Sequence, residues 1–305
     1  MTRILPVSPA PALDPVAPSP GNPGPHPSPR RPHLVLPPGS TDSHCHVFGP
    51  HEVFPYSPDR TFTPVDAPRQ QVAELQTFLG LERAVIVQSS CHGTDHSALL
   101  DALRADPERR RGVAILGPEV TAAELEELDR SGVCGARLHF MPHLGDDPLP
   151  DEQQSVLAAV ADLGWHAEIH VQGSGIVDQE SMISAVPGPV VIDHMARVDL
   201  TEGLDGQPVR SLTNLLERGN VWVKVSGIDR LSRTGPPYAD AVALAALLVA
   251  RFPERVVWGT DYPHTNIEGD APDDGLLVDL LARIAPTDAA LERLMVTNPA
   301  ELFGF

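Results

Sequence analysis

Two histidines separated by one residue, His44 and His46 in Thr41-Asp42-Ser43-His44-Cys45-His46-Val47-Phe48, head a set of side chains able to bind a metal ion or move a proton. On an extended strand, positions two apart point to the same face, so both imidazoles can serve one site. Three more candidates follow far downstream: His170 in Ala167-Glu168-Ile169-His170-Val171, His194 in Val190-Val191-Ile192-Asp193-His194, and Asp261 in Val256-Val257-Trp258-Gly259-Thr260-Asp261. Each closes a short apolar run that reads as a strand. Three imidazoles and a carboxylate suit a divalent ion such as zinc, with a position left for water or substrate. Such an ion acidifies water and polarises a carbonyl, and Asp261 can take the proton. A single histidine at a strand end is commonly structural; five such groups at strand ends together point to an active site.

Residues this far apart meet only if the elements beneath them converge. Strand-like runs at 84–87, 112–116, 136–140, 167–171, 190–192, 221–225 and 255–258 alternate with helical stretches, and the strand carrying His44 and His46 makes about eight. Thr121 followed by Glu124, Glu126 and Glu127 is a capped helix start, and the alanine- and leucine-rich stretch from Tyr238 to Arg251 is another helix. Eight strand–helix units favour an α/β fold of the (β/α)8 TIM-barrel type, in which the strand C-termini share one mouth. The barrel is expected as a single domain over 39–305. Residues 1–38, dominated by proline, alanine and serine, are expected to form a disordered tail, with His26 and His33 irrelevant to catalysis.

The 305 residues are 42% hydrophobic, enough to fill one large barrel core. A net charge of -19 argues against nucleic acid and anionic membrane as partners and makes arginines near strand ends notable as local anion sites. Three cysteines without framework spacing favour a reducing compartment, the cytoplasm by default. No signal peptide and no membrane span of about 18 apolar residues is evident.

Six segments together carry a resemblance: Thr41–Gly49, Val87–Asp95, Gly135-Ala136-Arg137-Leu138-His139-Phe140, Ile192-Asp193-His194-Met195, Lys224–Ser232, and Trp258–His264. The chain resembles the amidohydrolase superfamily from about Thr41 to the closing Thr297–Phe305, and within it the 2-pyrone-4,6-dicarboxylate lactonase branch. The resemblance implies hydrolysis or formation of a lactone in a small carboxylated ring. It makes Asp261 the base that activates water and His194 the group that polarises the carbonyl, with His44 and His46 beside it. Arg137 and Arg230 become the guanidinium groups that hold substrate carboxylates, a bidentate task that lysine performs poorly. Ser90 matches a hydroxyl that contacts a carboxylate. His92, on the same loop, and His264 join the substrate-binding candidates.

Three positions depart from that pattern. Phe62 stands where those lactonases carry a tyrosine after the first strand, His143 where they carry a second arginine after the fourth, and His170 where they carry a tyrosine on the fifth. Those lactonases work without metal, whereas related lactonases place a metal-binding histidine at the fifth strand. His170 restores that ligand, so the expectation is one divalent ion, zinc or manganese, held by His44, His46, His170 and Asp261, with a metal-free mechanism as the alternative. Cys45 should face away from the mouth, and Trp222 and Lys224 should face helices or barrel layers. The expected reaction is hydrolysis of a small carboxylated lactone or activated ester. Its rivals are a metal-dependent nonoxidative decarboxylase, a lactone isomerase and a catalytically retired barrel that binds a ligand. Oligomeric state is not legible.

Overall fold

A computed structural model describes residues 17–140, 150–267 and 269–305. Eight strands run parallel in sequence order: β1 (Thr41–Cys45), β2 (Arg83–Val87), β3 (Arg110–Ala114), β4 (Val133–Phe140), β5 (His166–Val171), β6 (Val190–Ile192), β7 (Val221–Lys224) and β8 (Val256–Val257). The last joins the first: the Ser43 amide donates to the Trp258 carbonyl at 2.9 Å, the Asp261 amide to the His44 carbonyl at 2.8 Å, and Cys45 bridges Tyr262 in parallel. This is the expected (β/α)8 barrel.

The intervening helices include α1 (Arg69–Leu79), α2 (Ser97–Ala105), α3 (Ala122–Arg130), α4 (Pro150–Asp162), α5 (Gly175–Ala185), α6 (Gln207–Leu216), the single turn α7 (Ile228–Leu231), α8 (Ala239–Arg251) and α9 (Asp274–Ile284). α3 starts as its sequence demands: the Thr121 hydroxyl accepts from the Glu124 amide while the Glu124 carboxylate accepts from the Thr121 amide. Alternation along the strands splits the apolar side chains. One set faces the helices, as Ile169, Ile192 and Val223 do among Leu212, Leu244 and Leu281; the other, with Val85, Val113, Val191, Trp222 and Val257 over Phe303, forms a layer of its own.

Residues 17–38 correct the expectation of a free tail. They form no helix or strand, yet they run along the barrel: the His33 and Leu34 amides donate to Asp279 on α9, the Arg30 guanidinium pairs with the same carboxylate at 2.9 Å, and Leu36 reaches the core. A few polar anchors do here what a hydrophobic face does for a helix. Residues 1–16 lie outside the described part. Among the described residues no helix is long and apolar enough to cross a membrane, and Cys45, Cys91 and Cys134 are unpaired thiols.

Candidate active site

The C-terminal ends of the strands carry the chemistry. His44 and His46 sit edge to face, centroids 4.9 Å apart, with their Nε2 atoms separated by 3.3 Å. His46 places Nδ1 2.7 Å from the Val87 carbonyl, an acceptor, so Nδ1 holds the proton and Nε2 presents a lone pair to the site. Asp42, fully buried, fixes β1 to the end of β8 by accepting from the Thr260 amide (2.9 Å) and hydroxyl (2.8 Å).

After β6 the backbone enters four consecutive left-handed residues, His194, Met195, Ala196 and Arg197, with φ of 47°, 52°, 56° and 44°. Such strain in non-glycine residues collects where side chains must be aimed. His194 is turned toward the mouth, its Nδ1 2.9 Å from the Ser226 hydroxyl and its Nε2 3.7 Å from Asp261 Oδ1. Burial, opposed by Asp261 and Asp193, pulls its pKa down to about 4, so the ring is neutral near pH 7. Asp261 also has positive φ, at 64°.

Asp261 is the hub. Its Oδ1 lies 3.7 Å from His44 Nε2 and 3.6 Å from His46 Nε2, while Oδ2 takes a short hydrogen bond from Arg230 Nε. Burial alone would raise its pKa, but the Arg230 guanidinium, with His194 and His46, holds the carboxyl well below the usual carboxylate range. Arg230 is itself anchored by the Thr265 carbonyl at 2.7 Å.

Beneath the mouth lies a charged layer within the barrel. Lys224 Nζ contacts Glu168 directly, His44 Nδ1 at 3.0 Å and Asp193 Oδ1 at 3.4 Å, all fully buried. Asp193 Oδ2 accepts from Arg137 Nε (3.0 Å) and Nη2 (2.8 Å), and Arg137 Nη2 also reaches His170 Nδ1 at 3.1 Å. Burial would raise the Asp193 pKa, yet Arg137, His44 and Lys224 hold it well below the ordinary value. Burial, with the Lys224 charge beside it, drives His44 well below its ordinary value and keeps that ring neutral.

An open-mouthed pocket stands above these groups, and Phe62, Ser90, Arg137, His170, His194, Arg230 and Asp261 line it together with His46. Most of the residues expected at the site are therefore gathered at one place. Two are not. His264 is sealed off, with Nε2 3.0 Å from Asp274, because the positive φ of 65° at this position turns the ring toward α9. His92 packs its ring on Phe48 and Tyr56 and does not reach the cavity. His143 lies outside the described residues.

Arg197, which the sequence reading missed, also lines the cavity. Its Nε has no hydrogen-bond partner, and among the described residues Arg197 makes no ion pair within 4.0 Å; burial and the neighbouring Arg230 charge pull its pKa down to about 10. Arg137 and Arg230 face Asp193 and Asp261, whereas Arg197 has no carboxylate within 4.0 Å among the described residues. Glu168, Asp193 and Lys224 were also missed as partners of the site. For Glu168 and Lys224 the signal was a charged residue in an otherwise apolar strand, two positions before His170 in the case of Glu168, whereas Asp193 directly follows β6.

His44, His46 and Asp261 bring ligand atoms within reach of one ion. The three separations of 3.3, 3.6 and 3.7 Å match the edge of about 3.4 Å expected for a tetrahedron with metal–ligand bonds of about 2.0–2.1 Å. The carbonyl on His46 Nδ1 is the outer partner that such a ligand needs. These residues fit a metal. His170 shares the cavity wall but stands outside this compact group among the described residues.

Comparison with known proteins agrees with this geometry. The amidohydrolase family model matches residues 41–305. The chain is similar to 2-pyrone-4,6-dicarboxylate hydrolase of Comamonas testosteroni, 41% identical over 284 residues covering 90% of this chain and 93% of that one. It is similar also to 4-sulfomuconolactone hydrolase of Hydrogenophaga intermedia, 38% identical over 89% of this chain and 90% of that one. A crystal structure from Agrobacterium tumefaciens without ligand superposes with a TM-score of 0.81 at 29% identity, covering 90% and 98% of the two chains. A parallel eight-stranded barrel, imidazoles and an aspartate at its mouth, and a family match across the whole barrel lead to one assignment: the chain belongs to the amidohydrolase family and is a hydrolase.

Proposed function

We propose that this protein opens a lactone, or a similarly activated ester, in a small ring that carries a carboxylate. The observation that carries the reading is the divided coordination of Asp261: Oδ2 is held by Arg230 while Oδ1 is turned to three imidazoles and the cavity. The similar hydrolases, named for a pyrone dicarboxylate and a sulfonated muconolactone, support an anionic ring as substrate.

In this mechanism the substrate carboxylate sits against Arg197, with Arg137, Arg230 and the Ser90 hydroxyl around it, as charge-assisted bonding to a planar guanidinium favours. Water stands at Asp261 Oδ1 and loses its proton there as its oxygen attacks the lactone carbonyl. His194, neutral and set by Ser226, directs Nε2 toward the developing oxyanion or the water. The ring C–O bond then breaks, and the proton on Asp261 moves to the departing ring oxygen. A carboxyl group acidified by Arg230 is a modest base but a strong acid, which helps the return step. Phe62 narrows the rim without a hydroxyl.

We further propose that the site takes one divalent ion, zinc or manganese, at His44, His46 and Asp261, with His170 as the additional imidazole. Such an ion supplies Lewis acidity to the carbonyl and acidifies water. The unpaired thiols fit a reducing, cytoplasmic setting.

The test is ring opening of carboxylated lactones in H2(18)O. One labelled oxygen should enter the new carboxylate, and Asp261→Asn should lose at least about a hundredfold in kcat with an unchanged fold. Turnover without label incorporation would show an isomerase; near-normal turnover by Asp261→Asn would remove Asp261 as the base.

A further inference from the structure

The described residues before the family-matched barrel reach the mouth at a defined point. Asn22 is buried, 5% exposed, although it lies in a proline-rich stretch. Its Oδ1 accepts from the Asn266 amide at 3.2 Å and its Nδ2 lies 3.3 Å from Asn266 Oδ1, so one side chain meets both backbone and side chain of the same residue. Next to it the Gly21 carbonyl accepts from the Ile267 amide at 2.9 Å. Gly21 has φ of 79°, and a Cβ there would come within 3.1 Å of the Ile267 carbonyl oxygen, so the approach suits glycine. Three residues earlier, the Ser19 amide donates to the Thr63 carbonyl and the Ser19 hydroxyl accepts from the Thr63 amide, both at 2.8 Å.

The two loops so held are the ones that bring Phe62, Thr265 and Asn266 to the cavity. Asn266 is itself left-handed, with φ of 54°, a conformation that needs outside support. The Thr265 carbonyl holds Arg230 Nη1, and Arg230 holds Asp261.

We infer that Ser19, Gly21 and Asn22 form a bracket that sets the mouth, and that Asn22 is a positioning residue acting on the carboxylate seat through Asn266, Thr265 and Arg230. Misplacing a positioned group by a fraction of an ångström costs catalysis more than stability. The bracket lies before residue 41, where the family model begins. The inference rests on the lactonase reading for its kinetic arm and on geometry alone for its second arm.

The full chain carrying Asn22→Ala should show KM for a carboxylated lactone raised about tenfold with kcat within about twofold, and KM for its methyl ester unchanged. Asn22→Asp, which keeps the acceptor for the Asn266 amide, should recover most of the loss. Independently of any substrate, hydrogen exchange of the Asn266 and Ile267 amides should quicken in Asn22→Ala while the melting temperature stays within a few degrees. If exchange quickens but the wild-type chain opens no carboxylated lactone, the bracket stands and the substrate reading falls. Unchanged exchange and unchanged KM, or equal losses on acid and ester accompanied by a lower melting temperature, would overturn the inference.

Discussion

An ammonium group offers only donors, and this has a specific effect on His44. With Lys224 Nζ at 3.0 Å, Nδ1 of the neutral ring is driven to accept, which puts its proton on Nε2 and aims it at the lone pair of His46. That chain from Lys224 to Val87 is satisfied by protein atoms alone. In the other tautomer Nδ1 donates to Asp193 at 3.2 Å, and both Nε2 atoms present lone pairs to a cation. The first state suits a site without an ion and the second a site that holds one, and metal content tells them apart. Protein purified without chelator should hold near one equivalent of zinc or manganese and lose activity on chelation, and His170→Tyr should lower the metal content measured by elemental analysis. Full activity in a demonstrably metal-free preparation would remove the ion from the mechanism and leave the protein-satisfied chain from Lys224 through His44 and His46 to Val87 as the working state.

At the scale of elements, the seam between β1 and β8 is a tight joint. Gly259 lies against the His44 backbone, where an added Cβ would come within 2.4 Å of the His44 nitrogen and 2.9 Å of its Cα. Backbone on both sides cannot yield. Gly259→Ala should therefore cost about 1–3 kcal/mol in urea unfolding and lower kcat by displacing His44; a fully stable, fully active variant would show that the seam opens freely. Most strands were legible because a parallel strand buried on both faces reads as an apolar run, and His170, His194 and Asp261 close such runs, whereas His44 and His46 stood out by their two-residue spacing. What was not legible depended on direction after the strand ended. His264 follows Asp261 by three residues, yet positive φ values at both send one side chain into the mouth and the other against Asp274. Arg197 was hidden for the same reason, being carried to the cavity by four left-handed residues that no periodicity foretells. Residues 17–38 were misread because proline content reports average burial, whereas Asn22, Arg30 and Leu36 hold the segment as single anchors.

For the molecule as a whole, buried neutral histidines tie stability to pH. His194 has a folded pKa of about 4 against 6.5 for an unperturbed ring. The unfolded chain therefore binds the proton first, and stability present above pH 6.5 is lost as pH falls toward 4. That interval corresponds to roughly 3 kcal/mol for this residue. His264 works in the opposite sense: burial lowers its pKa but Asp274 more than restores it, so its contribution is complete below 6.5 and fades as pH rises through the folded value. Melting temperature should drop between pH 6.5 and 4, and His194→Asn should flatten that slope; an identical slope in the variant would show that other groups carry the acid transition.

Asp42 on the first strand and Thr260 beside the last are 218 residues apart and bonded to one another, and the base at Asp261 follows at once. During synthesis His44 leaves the ribosome early and must wait for nearly the entire remaining chain before its partner carboxylate exists. The N-terminal segment waits longer still, since Asp273 and Asp279, to which Arg30 attaches, come later than the base. The protein thus has no competent half-product: a translation that stops before the eighth strand yields neither a closed barrel nor a proton acceptor, and the appearance of activity reports that the two ends of the chain have found each other.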